Sequence, residues 1–280
     1  MRPFETVMIE PGQYFPDLAE FLAGEPGNGR ISFALSGSFT RMLCGIRTAD
    51  FSQLQVTHSN FDYSSHDTDT VSHEKQIAYM HTPQAPAGVT EEIVVYPDTN
   101  QGNYRVESDV GEQTFTTGDI VRIPFADNCP RTVHFSRADG VLPTRIVTAM
   151  RLNGAEGVIP AECSLGVIHH ARPPKHSAWM VVSEKFATQI CWTDFVEVYG
   201  GAKGDAMWEC SLYSAHRKQP QVSNRRMADL QPVMDLQDLF DEPIDLGGEY
   251  GYLSVRSSYG GLMIFSTLKK KKSLTIEHSF

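Results

Sequence analysis

Histidines and carboxylates are concentrated between residues 58 and 81, and this stretch carries the side chains best suited to metal chemistry. It holds four of the ten histidines and four carboxylates, namely Asp62, Asp67, Asp69 and Glu74. Imidazole nitrogens and carboxylate oxygens are the usual ligands of a non-haem iron, manganese or zinc centre that keeps positions open for a substrate. We therefore predict that His66, His73 and Glu74 bind a divalent transition metal ion.

A second interpretation of the same stretch is a polar loop on the surface. Residues 64–74 are dense in Ser, Thr and Asp, which favour turns. On a regular strand, His66 and His73 would point to opposite faces, because an odd number of positions separates them. The surface loop and the metal site are both open from the sequence alone.

Aromatic residues are prominent in the C-terminal half, namely Trp179, Trp192, Trp208, Tyr199 and Tyr213. Their flat rings can line a pocket for a sugar or an aromatic ligand, but in a β-rich chain such side chains more often fill the core. The sequence contains no GxxxxGK[ST] phosphate-binding loop, no GxSxG nucleophile elbow and no HExxH helix. The chemistry of those three motifs is therefore not favoured.

The composition is that of a globular protein, with 41% hydrophobic and 21% charged residues in a chain of 280. The formal net charge of −10 repels nucleic acid and anionic membrane surfaces, so neither is an expected partner. No apolar run reaches the roughly 18 residues of a membrane span, and no signal-peptide pattern is present. Five scattered cysteines without a CxxC pair are typical of reduced core thiols, so we expect a cytoplasmic protein.

Short runs rich in Ile, Val, Phe, Tyr and Thr follow one another from residue 31 onwards, separated by Gly, Pro, Asn and Asp. This spacing predicts a mainly β fold, a sandwich or barrel, with short helices at 17–23 and, interrupted by a proline, at 224–240. The predicted organisation is an N-terminal arm (1–30), a β domain (31–152), a connection rich in Gly and Pro (153–176) and a second β domain (177–280).

The two β domains share short matches in the same order, which predict that the second is a divergent repeat of the first. The matched segments are residues 39–44 with 186–191 (Phe and Cys), 63–66 with 213–216 (Tyr and His), and 132–135 with 275–278 (a strand containing His). Chance also produces such matches in β proteins, so duplication and coincidence stand as alternatives.

The segment 104–124, YRVESDVGEQTFTTGDIVRIP, is the most specific pattern in the chain. It predicts two strands joined by a turn near Gly111, then a tight turn at Gly118 and an apolar strand that ends at Pro124. The spacing of Gly118 and Pro124 resembles the second conserved motif of the cupin superfamily, and the preceding residues resemble its homogentisate-dioxygenase-like members. The resemblance implies a cupin-like double-stranded β-helix barrel, and a bicupin if the chain is duplicated.

The resemblance also implies chemistry, because many cupins bind Fe, Mn, Ni, Cu or Zn inside the barrel and act as dioxygenases, isomerases or epimerases. The family places a metal-binding histidine shortly after the proline, whereas His134 lies ten positions after Pro124 and requires an insertion between them. The first family motif, His-x-His followed by Glu, is not present as such, and His66, His73 and Glu74 are the nearest equivalents.

We therefore predict a small-molecule enzyme of dioxygenase or isomerase type, with Fe, Mn or Zn held by His66, His73, Glu74 and His134. The alternative is a metal-free β-rich protein that binds a ligand or acts as an interaction or accessory protein. The expected partners are a small-molecule ligand and, in an oligomer, a second copy of the chain forming a homodimer.

Overall fold

The computed structural model describes residues 8–23, 31, 43–50, 52–58, 77–96, 102–116, 118, 120–125, 131–140, 142, 146–165, 176–194, 205–260, 262–270 and 273–278. The chain divides into two compact units, residues 1–38 and 39–280. In the described part of the first unit, a 3-10 turn at Pro11–Gln13 precedes the helix α1 at Leu18–Ala23, as predicted.

The second unit is built from antiparallel strands, which confirms the predicted mainly β fold. In chain order the strands are β1 (Leu43–Arg47), β2 (Leu54–His58), β3 (Ile77–Thr82), β4 (Thr90–Val95), β5 (Asn103–Ser108), β6 (Gly111–Thr116), β7 (Val121–Phe125), β8 (Arg131–Arg137), β9 (Thr148–Asn153), β10 (Ala161–Leu165), β11 (Ser177–Ser183), β12 (Ala187–Asp194), β13 (Met207–Tyr213), β14 (Gln221–Arg226), β15 (Val233–Asp235), β16 (Tyr250–Ser257), β17 (Leu262–Lys270) and β18 (Ser273–His278).

Four of the five sheets form two similar pairs. In the first half, strands β3-β8-β5-β6 form one sheet and β10-β9-β4-β7 another. In the second half, the sheets are β11-β16-β13-β14 and β18-β17-β12-β15. Adding eight to each strand number of the first half therefore gives the strand order of the second. The residue matches proposed from the sequence do not follow this order, because 132–135 lie in β8 whereas 275–278 lie in β18, the counterpart of β10.

Alternating side chains build two hydrophobic cores, one for each pair of sheets. In β7, for example, Val121, Ile123 and Phe125 are buried and the residues between them are exposed, as the two-residue period of a strand requires. The core of the first half also contains Phe265 and Ile276 from the second half, so the two cores are not independent.

The strands of the cupin-like segment form as predicted. β5 and β6 make a hairpin in which Gly111 has a φ of 139°, a conformation that disfavours other residues. Pro124 lies inside β7 rather than at its end. It is tolerated because β7 is the edge strand of its sheet, where a missing N–H donor breaks no ladder on the outer side.

Two segments differ from expectation. The helix predicted at 224–240 is wrong: the chain there forms the end of β14, a 3-10 turn at Met227–Asp229, β15, and a second 3-10 turn at Leu236–Leu239. A capping box between Asp235 and Asp238 fixes that second turn. In addition, the segment 153–176, predicted as a connection, contains β10, which pairs with β9 and contributes to the first core.

The remaining sheet is the hairpin of β1 and β2, which is attached to β10 by side chains rather than by a strand ladder. The Gln53 amide donates to the Gly157 carbonyl at 2.7 Å and accepts from the Ile159 N–H at 2.8 Å. The Gln55 amide donates to the Glu162 carbonyl at 2.7 Å. The two glutamines thereby satisfy backbone groups near the edge strand of the sheet.

Candidate functional site

Of the four predicted metal ligands, His134 is the one that lies within the described residues. It sits in β8 and is half-buried, whereas His66, His73 and Glu74 lie outside the described ranges. The metal site predicted from these four residues therefore stays a prediction. Among the described residues, no group of three His, Cys, Asp or Glu side chains is arranged to hold a metal ion, so they do not form such a site by themselves.

The strand alternation of β8 decides which face of the sheet carries His134. Val133 and Phe135 are fully buried in the first core, so His134 lies on the opposite face, away from that core. Its partner in β3 is Tyr79, whose ring is 4.9 Å from the imidazole in an edge-to-face arrangement. Its partner in β5 is Glu107. We call this side of the sheet the polar face, defined by Tyr79, His81, Glu107, Thr132 and His134.

The polar face borders a cavity of about 550 Å³. The opposite wall is the C-terminal end of β12, together with Pro232 just before β15. The cavity is thus lined by both halves of the second unit, and its lining consists of Glu107, Ser108, Asp109, Arg131, Thr132, His134, Trp192, Thr193, Asp194 and Pro232. A concave site with converging polar groups is the usual form of a small-molecule site.

His81 lies buried behind the cavity wall, with 1% of its surface exposed. Its Nδ1 is 2.9 Å from the hydroxyl of Thr132, the residue paired with it across β3 and β8. Burial lowers the pKa of His81 to about 4; the charge of Asp194 opposes this shift and that of His134 adds to it. The imidazole is therefore neutral at neutral pH and holds the Thr132 hydroxyl in place.

Arg131 supplies a fixed positive charge at the base of the cavity. Its side chain is almost entirely buried, forms an ion pair with Asp109, and lies over the Phe125 ring at 4.5 Å. The buried guanidinium is the counter-ion of the Asp109 carboxylate. The ion pair also connects the β5–β6 turn to the start of β8.

Glu91 is a buried acid on the core side of the same region. Burial raises the pKa of Glu91 to about 8, against the opposing influence of the Thr82 hydroxyl and the Arg131 charge. The carboxyl group is therefore mostly protonated at neutral pH. Thr82 and Arg131 are directly paired in β3 and β8, so these three residues form one polar cluster at the end of the first core.

Trp192 makes the wall opposite the polar face rigid. Its indole N–H donates to the Gln231 carbonyl at 2.8 Å, and its ring meets Trp208 edge-to-face at 5.5 Å. Both tryptophans are buried, as expected for core residues, whereas Trp179 and Tyr213 are exposed. Tyr199 lies outside the described residues.

Sequence reasoning identified His134 but missed the charged residues around it. Arg131 and Asp194 each stand at the end of a strand, where a charged residue is unremarkable in sequence. Glu91 could have been noticed from the sequence. It stands next to Glu92 at the start of the strand TEEIVV, and because successive side chains of a strand point to opposite faces, one of the two acids has to face the core. Its neighbour Glu92 pairs with Arg151 on the other face.

Neither the models of known protein families nor the curated proteins with which the sequence was compared match this chain. Within the described ranges, no helix is long and apolar enough to cross a membrane.

Proposed function

We propose that the protein is a small-molecule enzyme on a duplicated cupin-like scaffold, with the cavity beside His134 as its reaction centre. The observation that carries this proposal is the convergence of a histidine and an arginine from β8 with three carboxylates, from β5, the β5–β6 turn and β12, on one cavity of about 550 Å³. Clusters of acid, base and fixed charge in a partly enclosed site are the usual equipment of catalysis.

The scaffold part of the proposal is supported by the strand order. Each half consists of eight strands in two four-stranded antiparallel sheets, the architecture of the double-sheet jelly rolls that include cupins. The offset of eight strands between the halves is the pattern that a gene duplication would leave. Gly118 lies between β6 and β7 of the first half and Pro124 lies in β7, in keeping with the cupin resemblance.

His134 is the candidate general acid or base. Histidine is the side chain whose ordinary pKa allows it both to accept and to donate a proton near neutral pH. Glu107 lies directly opposite in β5, and directly opposite residues of antiparallel strands have neighbouring side chains. A carboxylate beside an imidazole can fix its orientation and stabilise its protonated form.

The charges of the cavity favour a ligand that is positively charged or rich in hydroxyl groups. Three carboxylates line it, from Glu107, Asp109 and Asp194, and Arg131 balances the charge of Asp109. The lining is therefore net negative, as is the whole chain with a formal charge of −10. An anionic substrate would be repelled by the charge of the cavity lining and by the net charge of the whole chain.

Metal dependence belongs to the same proposal and has its own test. Fe, Mn or Zn bound by His66, His73, Glu74 and His134 would supply Lewis-acid or oxygen-activating chemistry. Untagged protein is reconstituted with each metal, and bound metal is measured. Less than about a tenth of an equivalent of any transition metal removes this part of the proposal.

The alternative, a binding protein without catalysis, is favoured by the exposed aromatic side chains of the second half, including Trp179 and Tyr213. The two functions are separated by a thermal-shift screen of polar metabolites, followed by calorimetry and NMR detection of turnover. An enzyme binds and converts its ligand, and His134→Ala loses turnover more than binding. Binding without turnover favours the alternative, and the exposed His216→Ala variant is the control.

If the cavity variants His134→Ala and Asp194→Asn both bind and convert ligands as well as the wild type does, the cavity is not the site. In that case the proposal fails whichever of the two functions the protein has.

A further inference from the structure

The outer side of the sheet β11-β16-β13-β14 carries large side chains that are exposed to solvent. We call it the aromatic face, defined by Trp179, Tyr213, Tyr250, Tyr252 and Val222, whose surfaces are between 39% and 54% exposed. The residues that alternate with them, such as Met180 and Leu253, are buried in the second core. The aromatic face is therefore a regular outward side of a sheet that presents apolar rings.

The rings of the aromatic face support one another. Trp179 and Tyr252 are stacked at 5.7 Å with an angle of 25° between their planes, and Tyr213 meets Tyr252 at 5.8 Å and 62°. Val181 is paired with Tyr252 across β11 and β16 and lies on the same side of the sheet, so it does not cover the rings. Rings held in this way lose little side-chain freedom when a partner covers them, which lowers the entropic cost of binding.

The corresponding sheet of the first half shows how such a face is covered in this fold. The strands β3, β8 and β5 correspond to β11, β16 and β13. On the first half, the end of β12 lies across the cavity from the polar face, and His81 in that region is fully buried. The equivalent side of the second half has no such cover among the described residues and leaves its rings exposed.

The aromatic face has the residue types of a dimer contact and supplies part of the area that each partner buries in such a contact. An aromatic side chain buries about 150–250 Å² when fully covered, so four rings at nearly half exposure offer roughly 270–450 Å². A standard interface buries about 800 Å² per partner, and Trp and Tyr are among its enriched residues. The four rings thus account for roughly a third to a half of the area that a stable dimer needs.

The charge of the molecule directs a second copy to this face. With a formal charge of −10, two copies repel each other over most approaches. The five residues of the aromatic face are uncharged, so a two-fold contact that brings them against themselves opposes no like charges among them. Glu209 and Arg256, which are paired and exposed on the same side of the sheet, have opposite charges and can pair across such a contact. We propose that the aromatic face is the contact between two copies of this chain, related by a two-fold axis. This proposal is independent of the reaction proposed for the cavity.

The test is the mass of the protein in solution. Sedimentation velocity from about 1 to about 100 µM is expected to give twice the chain mass of 31.2 kDa as the concentration rises. The double variant Trp179→Ser, Tyr252→Ser is expected to associate at least about 30-fold more weakly. The control variant Val56→Ser removes an equally exposed apolar side chain from β2 and is expected to keep the dimer.

A wild type that stays monomeric throughout this range overturns the proposal, and so does a dimer that survives both aromatic substitutions. If the double variant does not fold, Val222→Arg places a charge on the same face at an exposed strand position and is expected to give a folded monomer. Circular dichroism checks the fold of each variant. A monomer whose tyrosine and tryptophan fluorescence responds to a soluble oligosaccharide would assign the face to carbohydrate instead.

Discussion

The polar face of the first half and the aromatic face of the second occupy the same position in two sheets of the same strand order. Across β3, β8 and β5 the first presents Tyr79, His134 and Glu107. Across β11, β16 and β13 the second presents rows that contain Trp179, Tyr252 and Tyr213. The inner sides of both sheets are apolar and buried, so the same strand order accommodates different side chains on the opposite side of the sheet.

The largest effect is expected from the core residues that support each face. Tyr104 in β5 and Trp208 in β13 are fully buried, and substitution of either by Ala is expected to lower the free energy of unfolding by about 4 kcal/mol. Urea unfolding followed by circular dichroism measures this. Because Phe265 and Ile276 connect the two cores, each variant is expected to shift a single common transition. Two separate transitions, only one of them shifted, would contradict the shared core.

The next largest effect on stability is expected at Arg131, a charged residue that is buried in the first half. Arg131→Ala is expected to cost about 3 kcal/mol, because it removes a buried guanidinium from Asp109 and from the Phe125 ring. The matched control is Arg105→Ala, whose ion pair with Glu112 at 2.7 Å is exposed and contributes less than about 1 kcal/mol. If chemical denaturation shows that the two variants lose the same free energy of unfolding, the burial of Arg131 is unimportant for stability.

The buried acid of the first half should make stability depend on pH. The pKa of Glu91 is about 8 in the folded protein against an ordinary value of 4.5, so the folded state binds the extra proton between these values. The stabilisation that Glu91 contributes to the folded state is therefore fully present below about pH 4.5 and is lost as the pH rises through 8. Over this range the free energy of unfolding falls by up to about 1.4 kcal/mol per pH unit.

Thermal melts between pH 5 and pH 8.5 compare the wild type with Glu91→Gln, for which this decline should be absent. The exposed variant Glu209→Gln, on the second half, should behave as the wild type does. A Glu91→Gln profile as steep as that of the wild type would assign the pH dependence to another group.

The smallest effect is expected at the polar face itself. Thr132→Val keeps the size of the side chain but removes the hydrogen bond with His81 at 2.9 Å, at a cost of about 1 kcal/mol. Thr114→Val, at an exposed position of β6, is the control and should change the free energy of unfolding by less than about 0.5 kcal/mol. A loss no greater than that of the control would mean that the hydrogen bond contributes nothing to stability.

The strands could be predicted from the sequence because each has its own local pattern. The hairpin of β5 and β6 and the strand β7 follow directly from alternation, from Gly111 and from the Gly118–Pro124 spacing. The failure at 224–240 has a physical cause. Apolar residues there recur at a helix-like spacing, but they are buried by two 3-10 turns and a short strand that depend on packing against distant residues.

The candidate site could be predicted only in part. The sequence singled out His134 as a metal ligand, a role that stays a prediction. Trp192 and Asp194, which line the same cavity, come from a strand of the other half, and no local sequence pattern indicates which strands meet across a cavity. The same limit applies to the predicted repeat. The strand order shows a correspondence between the two halves, whereas the short residue matches pair other segments, because a few matched side chains do not specify which strands are neighbours in a sheet.

The glutamine contacts of β2 have a consequence for how the chain is made. The partners of Gln53 and Gln55 lie 104 and 107 residues further along the chain. At a synthesis rate of about 5–20 residues per second, the β1–β2 hairpin emerges roughly 5–20 s before its partners exist. During that interval Gln53 and Gln55, which are buried in the finished fold, have no partner segment to dock on. The β1–β2 hairpin is thus translated early and docked late.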